Sequence, residues 1–254
     1  MLIDTHTHLY LKEFDHDRQE VIEAGLKEDV QKMLLPNIDT STIPGMLDMV
    51  KKYPGVCYPM AGLHPGSVGE NYREDLSRIR NEISKGRYIA IGEIGIDLYW
   101  EKKFRKEQEE VFEIQLEWAK ETGLPVVIHA RESFQEIFKV MDRVFDTGLR
   151  GVFHSFTGNE YDVEKIKEYD FYFGINGIVT FKNSTLKEIV KLIPENRLLL
   201  ETDSPYLAPV PKRGRRNESS YLRYTCNFLA EFLGIERRNL ERITTENALK
   251  LFKL

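Results

Sequence analysis

Apolar, β-branched runs recur along the chain, each separated from the next by a stretch with helical period. They read "LIDTHTH" from Leu2, "VQKMLLPN" from Val30, "VCYPMAGLH" from Val56 and "YIAIGEIGID" from Tyr88. The second half adds "PVVIHAR" from Pro125, "RGVFHSF" from Arg150, "FYFGING" from Phe171 and "LLLETDSP" from Leu198. Between them, Phe112, Leu116 and Ala119 form one apolar stripe. Leu222, Thr225, Leu229 and Phe232 form another, with Gly234 placed to end that helix. Strand–helix alternation calls for parallel strands, because parallel neighbours need a long crossover. Eight repeats in 254 residues, with no linker or low-complexity break, predict an α/β fold: a (β/α)₈ TIM-type barrel as one domain over residues 1–254. A doubly wound open sheet is the alternative. The segment from Thr244 to Leu254 is expected to form a last helix of the outer ring.

All eight predicted strands end in a polar group, and strand ends are where barrel active sites form. Strand one contributes His6 and His8, strand two Asn37, strand three His64, and strand four Glu93 and Asp97. Strand five contributes His129 and Arg131, strand six His154, strand seven Asn176, and strand eight Glu201 and Asp203. Only His16 among the six histidines falls elsewhere. Residues two apart on a strand share a face, so His6 and His8 both aim into the barrel mouth. Singly, each histidine reads equally well as a hydrogen-bonded core residue. Four histidines gathered with Glu93 and Asp203 do not, because burying so many ionisable groups together without a cation is costly. The set predicts a metal site, and imidazole–carboxylate donors accept zinc, manganese, nickel or magnesium to differing degrees.

Composition limits the remaining possibilities. A net charge of −5 argues against an extended DNA-binding surface, though a local basic loop and bound cations can reverse the sign at one site. The loop "PKRGRRNE" after strand eight, with Lys212, Arg213, Arg215 and Arg216, is such a candidate. A second basic cluster, "EKKFRK" from Glu101, follows Tyr99 and Trp100, which either stack unpaired bases or pack the barrel top. No apolar run reaches the roughly 20 residues of a membrane span, and the opening run leaves no room for a signal peptide. A cytoplasmic location is expected. Cys57 and Cys226 lack metal or redox spacing and read as buried reduced thiols.

The order of "IDTHTHL", "AGLHP", "IGEIGIDLYW", "PVVIHAR", "GVFHSFTG", "LLLETDSPYL" and "RGRRNE" resembles the TatD family of metal-dependent hydrolases, within the amidohydrolase-like barrels. The resemblance covers essentially the whole chain. It implies a nuclease acting on DNA ends or short DNA with two divalent metal ions per chain, and no obligate protein partner. By the family pattern, His6 and His8 hold one metal, Glu93 bridges to a second held by His129 and His154, and Asp203 completes the first site. Here "RGRRNE" runs into Ser219 and Ser220 where the family usually has proline, and Ser155 stands where many relatives have cysteine.

Asp203 is the candidate general base, or a ligand only. His64 is expected to contact a substrate phosphate or leaving group, or to make a structural hydrogen bond. Arg131 either binds phosphate bidentately or pairs with Asp97 or Glu201. An amidohydrolase acting on a small molecule is a second reading. Many such enzymes bridge their metals with a modified strand-four lysine, whereas this strand offers Glu93. A D-aminoacyl-tRNA deacylase would use the same site, and a non-catalytic scaffold would have lost some of these ligands.

Overall fold

The computed structural model describes residues 1–100 and 102–254. Eight parallel strands follow in order: β1 (Leu2–Asp4), β2 (Val30–Leu35), β3 (Cys57–Pro59), β4 (Ile91–Asp97), β5 (Val126–Arg131), β6 (Gly151–Phe153), β7 (Tyr172–Ile175) and β8 (Leu198–Leu200). Between and after them run helices α1 (Arg18–Lys27), α2 (Ile43–Lys52), α3 (Tyr72–Ile83), α4 (Arg105–Thr122), α5 (Phe134–Val144), α6 (Glu160–Glu168), α7 (Leu186–Val190), α8 (Leu222–Leu233) and α9 (Arg237–Phe252). Regular pairing joins β1 to β3 and β4 to β8 as two arcs. Isolated parallel bridges close the ring, Ala61 to Ile91 on one side and Thr7 to Ser204 on the other. The barrel is therefore closed, as the TIM-type reading requires.

One apolar side chain from the line of each strand fills the barrel interior: Ile3, Leu34, Met60, Ala90, Val127, Val152, Tyr172 and Leu199. Ala248, Leu251 and Phe252 of the C-terminal helix α9 (Arg237–Phe252) join that cluster and stop one end of the barrel. A larger apolar shell packs the helices against the outside of the strands. Water is thus excluded from the barrel axis, and the opposite end holds the polar strand termini.

The helical stripes fall in α4 (Arg105–Thr122) and α8 (Leu222–Leu233); Gly234 ends the latter at φ 68°. That left-handed conformation is nearly free for glycine and costly for residues with a Cβ. Three boundaries differ from expectation. Strand β1 stops at Asp4, and His6 and His8 lie beyond it on chain still bonded to both neighbours: Thr7 N donates to Leu34 O and His8 N to Ser204 O. A 3₁₀ turn, Ser219–Tyr221, precedes α8. Helix α9 begins at Arg237 rather than near Thr244 because Leu240 also packs inward. Cys57 and Cys226 are buried free thiols.

A candidate metal centre at the barrel mouth

The extended chain after β1 places His6 and His8 side by side, with their Nε2 atoms 3.2 Å apart. Glu93, 2 % exposed in the middle of β4, projects between them and the second half of the barrel. Its two oxygens serve different neighbours. Oε2 lies 3.1 Å from His6 Nε2 and 3.8 Å from His8 Nε2. Oε1 lies 2.8 Å from His129 Nδ1, 3.2 Å from His154 Nε2 and 3.4 Å from His64 Nε2. Asp203 Oδ1 completes the first group at 3.6 Å from His8 Nε2 and 3.9 Å from His6 Nε2.

Close backbone approach makes this convergence possible. Gly95 sits at φ 139°, and a Cβ there would lie 2.0 Å from His129 O, so only glycine lets β4 and β5 meet beside the two side chains. Asp203 itself adopts φ 56°. Backbone bonds hold that turn on both sides, Asp203 N to His6 O at 2.9 Å and His8 N to Ser204 O at 2.8 Å. Asp4, fully buried below, accepts hydrogen bonds from Thr202 N and Oγ1 and from Ser219 Oγ. Burial pushes the Asp4 carboxyl up to about 7 while these donors act against it. Ser219, where the family pattern has proline, thus ties the loop after β8 back to β1.

Hydrogen bonds on the far side orient four of the rings, whereas His6 Nδ1 is buried without a partner. Tyr10 donates its hydroxyl proton to Pro36 O at 2.6 Å, so its oxygen accepts from His8 Nδ1 at 2.9 Å. In the neutral ring, Nε2 is then the nitrogen with the free lone pair. His154 Nδ1 donates to Glu201 Oε1 at 3.0 Å, and His129 Nε2 donates to Asp97 Oδ2 at 3.0 Å. Each leaves its other nitrogen facing Glu93. Such carboxylate–histidine pairs fix ring orientation and raise ligand basicity. His64 is the exception. Gly66 N donates to His64 Nδ1 at 2.9 Å, so the neutral ring carries its proton on Nε2 and presents a donor to the mouth.

The charges follow from this packing. Burial works against the Glu93 anion, but His154, His64, His6 and His129 outweigh it and hold the carboxyl well below its usual range. Burial likewise opposes charge on His154, yet Glu93 and Glu201 raise it well above 6.5. Burial lowers His6 and His64. Asp203 is lowered against its burial by His8, His154 and His6.

The donor set fits divalent cations. Donors around a four-coordinate ion with bonds of about 2.0–2.1 Å lie about 3.3 Å from one another. The contacts from 3.1 to 3.9 Å among His6, His8, Glu93 and Asp203 bracket that spacing.

The remaining predicted residues divide. Arg131 lines the cavity of about 510 Å³ over the cluster, together with His64, Trp100 and Tyr206. It pairs with neither Asp97 nor Glu201; its guanidinium lies 4.0 Å over the Tyr99 ring. Arg213, Arg215 and Arg216 do not line that cavity. Arg216 is taken up by Asp17, through bonds of 2.8 and 2.6 Å, and by Glu13 O. Arg213 covers Phe181 at 3.9 Å. In the other basic cluster Arg105 pairs with Glu109 and Glu136, and Glu101 lies outside the described residues. Asn37 and Asn176 are structural, with Asn37 Oδ1 accepting from Gly62 N and Asn176 Nδ2 donating to Ser155 Oγ. Sequence reasoning missed Tyr10, although it continues the two-residue spacing of His6 and His8.

The family described as TatD related DNase matches residues 3–253. YabD of Bacillus subtilis, described as a metal-dependent hydrolase, is 38 % identical over the full length of both chains. A protein of Cronobacter sakazakii named 3'-5' ssDNA/RNA exonuclease TatD is 33 % identical, covering 99 % of this chain and 97 % of its own. Among solved structures, the TatD homologue YJJV of Escherichia coli K12 superposes with a TM-score of 0.92 at 23 % identity, covering 100 % of this chain and 98 % of that one. No helix among the described residues is long and apolar enough to cross a membrane.

Proposed function

The chain belongs to the TatD family of metal-dependent hydrolases, and we propose that it is a two-metal nuclease cutting phosphodiester bonds at DNA ends or in short DNA. The observation that carries this reading is the division of Glu93, whose Oε2 faces His6 and His8 while Oε1 faces His129 and His154. One carboxylate with separate nitrogen pairs on its two oxygens suits a bridge between two cations. His6, His8 and Asp203 would hold the first, and His129 and His154 the second. Bound there, the cations would supply an activated water at neutral pH and offset charge on the attacking and leaving oxygens. The imidazole-rich donors favour zinc, manganese or nickel over magnesium, which prefers oxygen ligands.

The protein's own groups divide the remaining work. The Asp203 side chain is 14 % exposed against 3 % for Glu93, so Asp203 is the better placed to take a proton from the attacking water. His64 donates Nε2–H to a phosphate or leaving-group oxygen, and its lowered pKa keeps it neutral for that task. Arg131 supplies the cation for the substrate phosphate. Tyr10, Asp97 and Glu201 keep three imidazoles in their required tautomers. The exonuclease names of relatives such as the Cronobacter protein favour nucleic acid over a cyclic amide.

Metal-stripped protein should be incubated with end-labelled single- and double-stranded DNA, with magnesium, manganese or zinc added back, beside an Asp203→Asn control. Cleavage that returns with metal and disappears in the control supports the nuclease. Stoichiometric metal binding with every DNA left intact would overturn the substrate and redirect attention to aminoacyl esters and cyclic amides.

A further inference from the structure

Few large apolar side chains are exposed, and two of them, Trp100 at 75 % and Tyr206 at 50 %, line the cavity over the metal-ligand cluster. They come from different loops, Trp100 from the turn after β4 and Tyr206 from the turn after β8. Neither packs the barrel top. Ile38 and Leu207 extend the apolar lining, and Arg131 brings a charge into it.

The Trp100 turn is tied directly to the site. Asp97 Oδ1 accepts from Tyr99 N at 2.9 Å and from Trp100 N at 3.4 Å, while Oδ2 accepts from His129 Nε2 at 3.0 Å. One carboxylate therefore sets both the ligand ring and the aromatic rim. The Tyr99 and Trp100 rings meet edge to face at 4.8 Å, and Arg131 lies 4.0 Å over Tyr99 and 5.3 Å from Trp100. The guanidinium is thus held against both rings at the edge of the cavity that the cluster floors. Across the mouth, Tyr206 stands edge-on to His8, with ring centres 6.3 Å apart.

Planar apolar walls with a positioned cation beside them match an unpaired nucleotide: a π-face to stack and a phosphate to hold. A terminal base still paired in a duplex is held at its edge by its partner and on one face by its neighbour, so it cannot enter between two walls. A volume of about 510 Å³ suits one nucleotide-sized group. We propose that Trp100 and Tyr206 grip the unpaired terminal base while Arg131 takes its phosphate, so that these aromatics select frayed or single-stranded ends. The proposal rests on the nuclease reading for its substrate, and DNA and RNA share the chemistry it needs.

Trp118, the other tryptophan of the two, is 8 % exposed, so fluorescence change on ligand binding reports chiefly on Trp100. Titrating the protein with short oligothymidylate and oligouridylate should quench this fluorescence, with the quench lost in Trp100→Phe, whose only tryptophan is buried. Cleavage is then compared for a strand ending in a normal nucleotide and one ending in an abasic sugar. In the wild type the abasic end should raise KM about tenfold or more. In Trp100→Ala and Tyr206→Ala that ratio should fall towards one, and Trp100→Phe should restore most of it. Quenching without cleavage of any strand would leave the grip supported and the nuclease reading refuted. Cleavage with equal KM for both ends, and no quench, would overturn the grip and leave the nuclease reading standing.

Discussion

His8 turns Nδ1 toward Tyr10 Oη at 2.9 Å, and the tyrosine spends its own proton on Pro36 O. A phenol committed in this way can only accept from the imidazole, so in the neutral ring Nε2 is the unprotonated nitrogen, and it faces His6 and Asp203. Burial, with Glu93, Asp39 and Tyr206 nearby, raises Tyr10 well above its usual value and keeps it protonated in this role.

Tyr10→Phe removes this acceptor and frees His8 to adopt the other tautomer. Metal affinity at that site is expected to fall about 10–100-fold, the usual cost of losing an outer partner of a ligand. The lost hydrogen bond to Pro36 costs about 1 kcal/mol of stability. Competition against a chromophoric chelator measures the first effect and urea unfolding the second. An unchanged affinity would show that Tyr10 does not set the tautomer.

Metal loading should release protons. Without a cation, Glu93 and Glu201 hold His154 well above 6.5 against its burial, and Asp97 and Glu93 raise His129 in the same way. Each raised histidine contributes stability to the cation-free fold below the ordinary imidazole pKa, and loses it as pH rises through its folded value. A cation needs both rings unprotonated, so apparent affinity should increase from pH 6 to pH 8. Calorimetry at pH 7 in phosphate and in Tris should differ by at least one proton's ionisation heat. Equal heats in the two buffers would refute the assignment of these rings as ligands.

Arg131 and Arg216 should separate cleanly. Arg131→Gln removes the cation that lines the mouth, and KM for an oligonucleotide is expected to rise about tenfold or more. Arg216→Ala breaks a part-exposed pair with Asp17 and costs about 1 kcal/mol of stability. Its KM should stay within about twofold of wild type, because the side chain holds down its own loop. Steady-state kinetics with thermal melts distinguish them, and a larger KM effect at Arg216 would reverse the assignment.

Which features could be read from sequence depended on how far apart their causes lie. The eight strands and the stripes of α4 and α8 follow from local spacing of apolar side chains, and all of them form, with β1 ending short of His6 and His8. His6, His8, Glu93, His129, His154 and Asp203 were legible as a set because a barrel gathers strand ends in one place. In the basic loop, charge alone does not reveal a partner: Asp17, nearly 200 positions away, pairs with Arg216. The roles of Asp97 and Glu201 were hidden in the same way, since Arg131 was the only partner that spacing suggested for them.

The amino-acid order alone determined the barrel, the donors and their gathering at one end, because periodic burial and strand direction are local properties repeated eight times. Tertiary structure decided which Glu93 oxygen faces which imidazoles, which nitrogen of each ring is bare, and which arginine remains at the mouth. Asp97, Glu201 and Asp17 come to His129, His154 and Arg216 from other strands or loops, while Tyr10 and Gly66 reach His8 and His64 from two residues along the same segment. A change of partner alters the chemistry of the site while leaving the pattern of apolar and polar positions untouched.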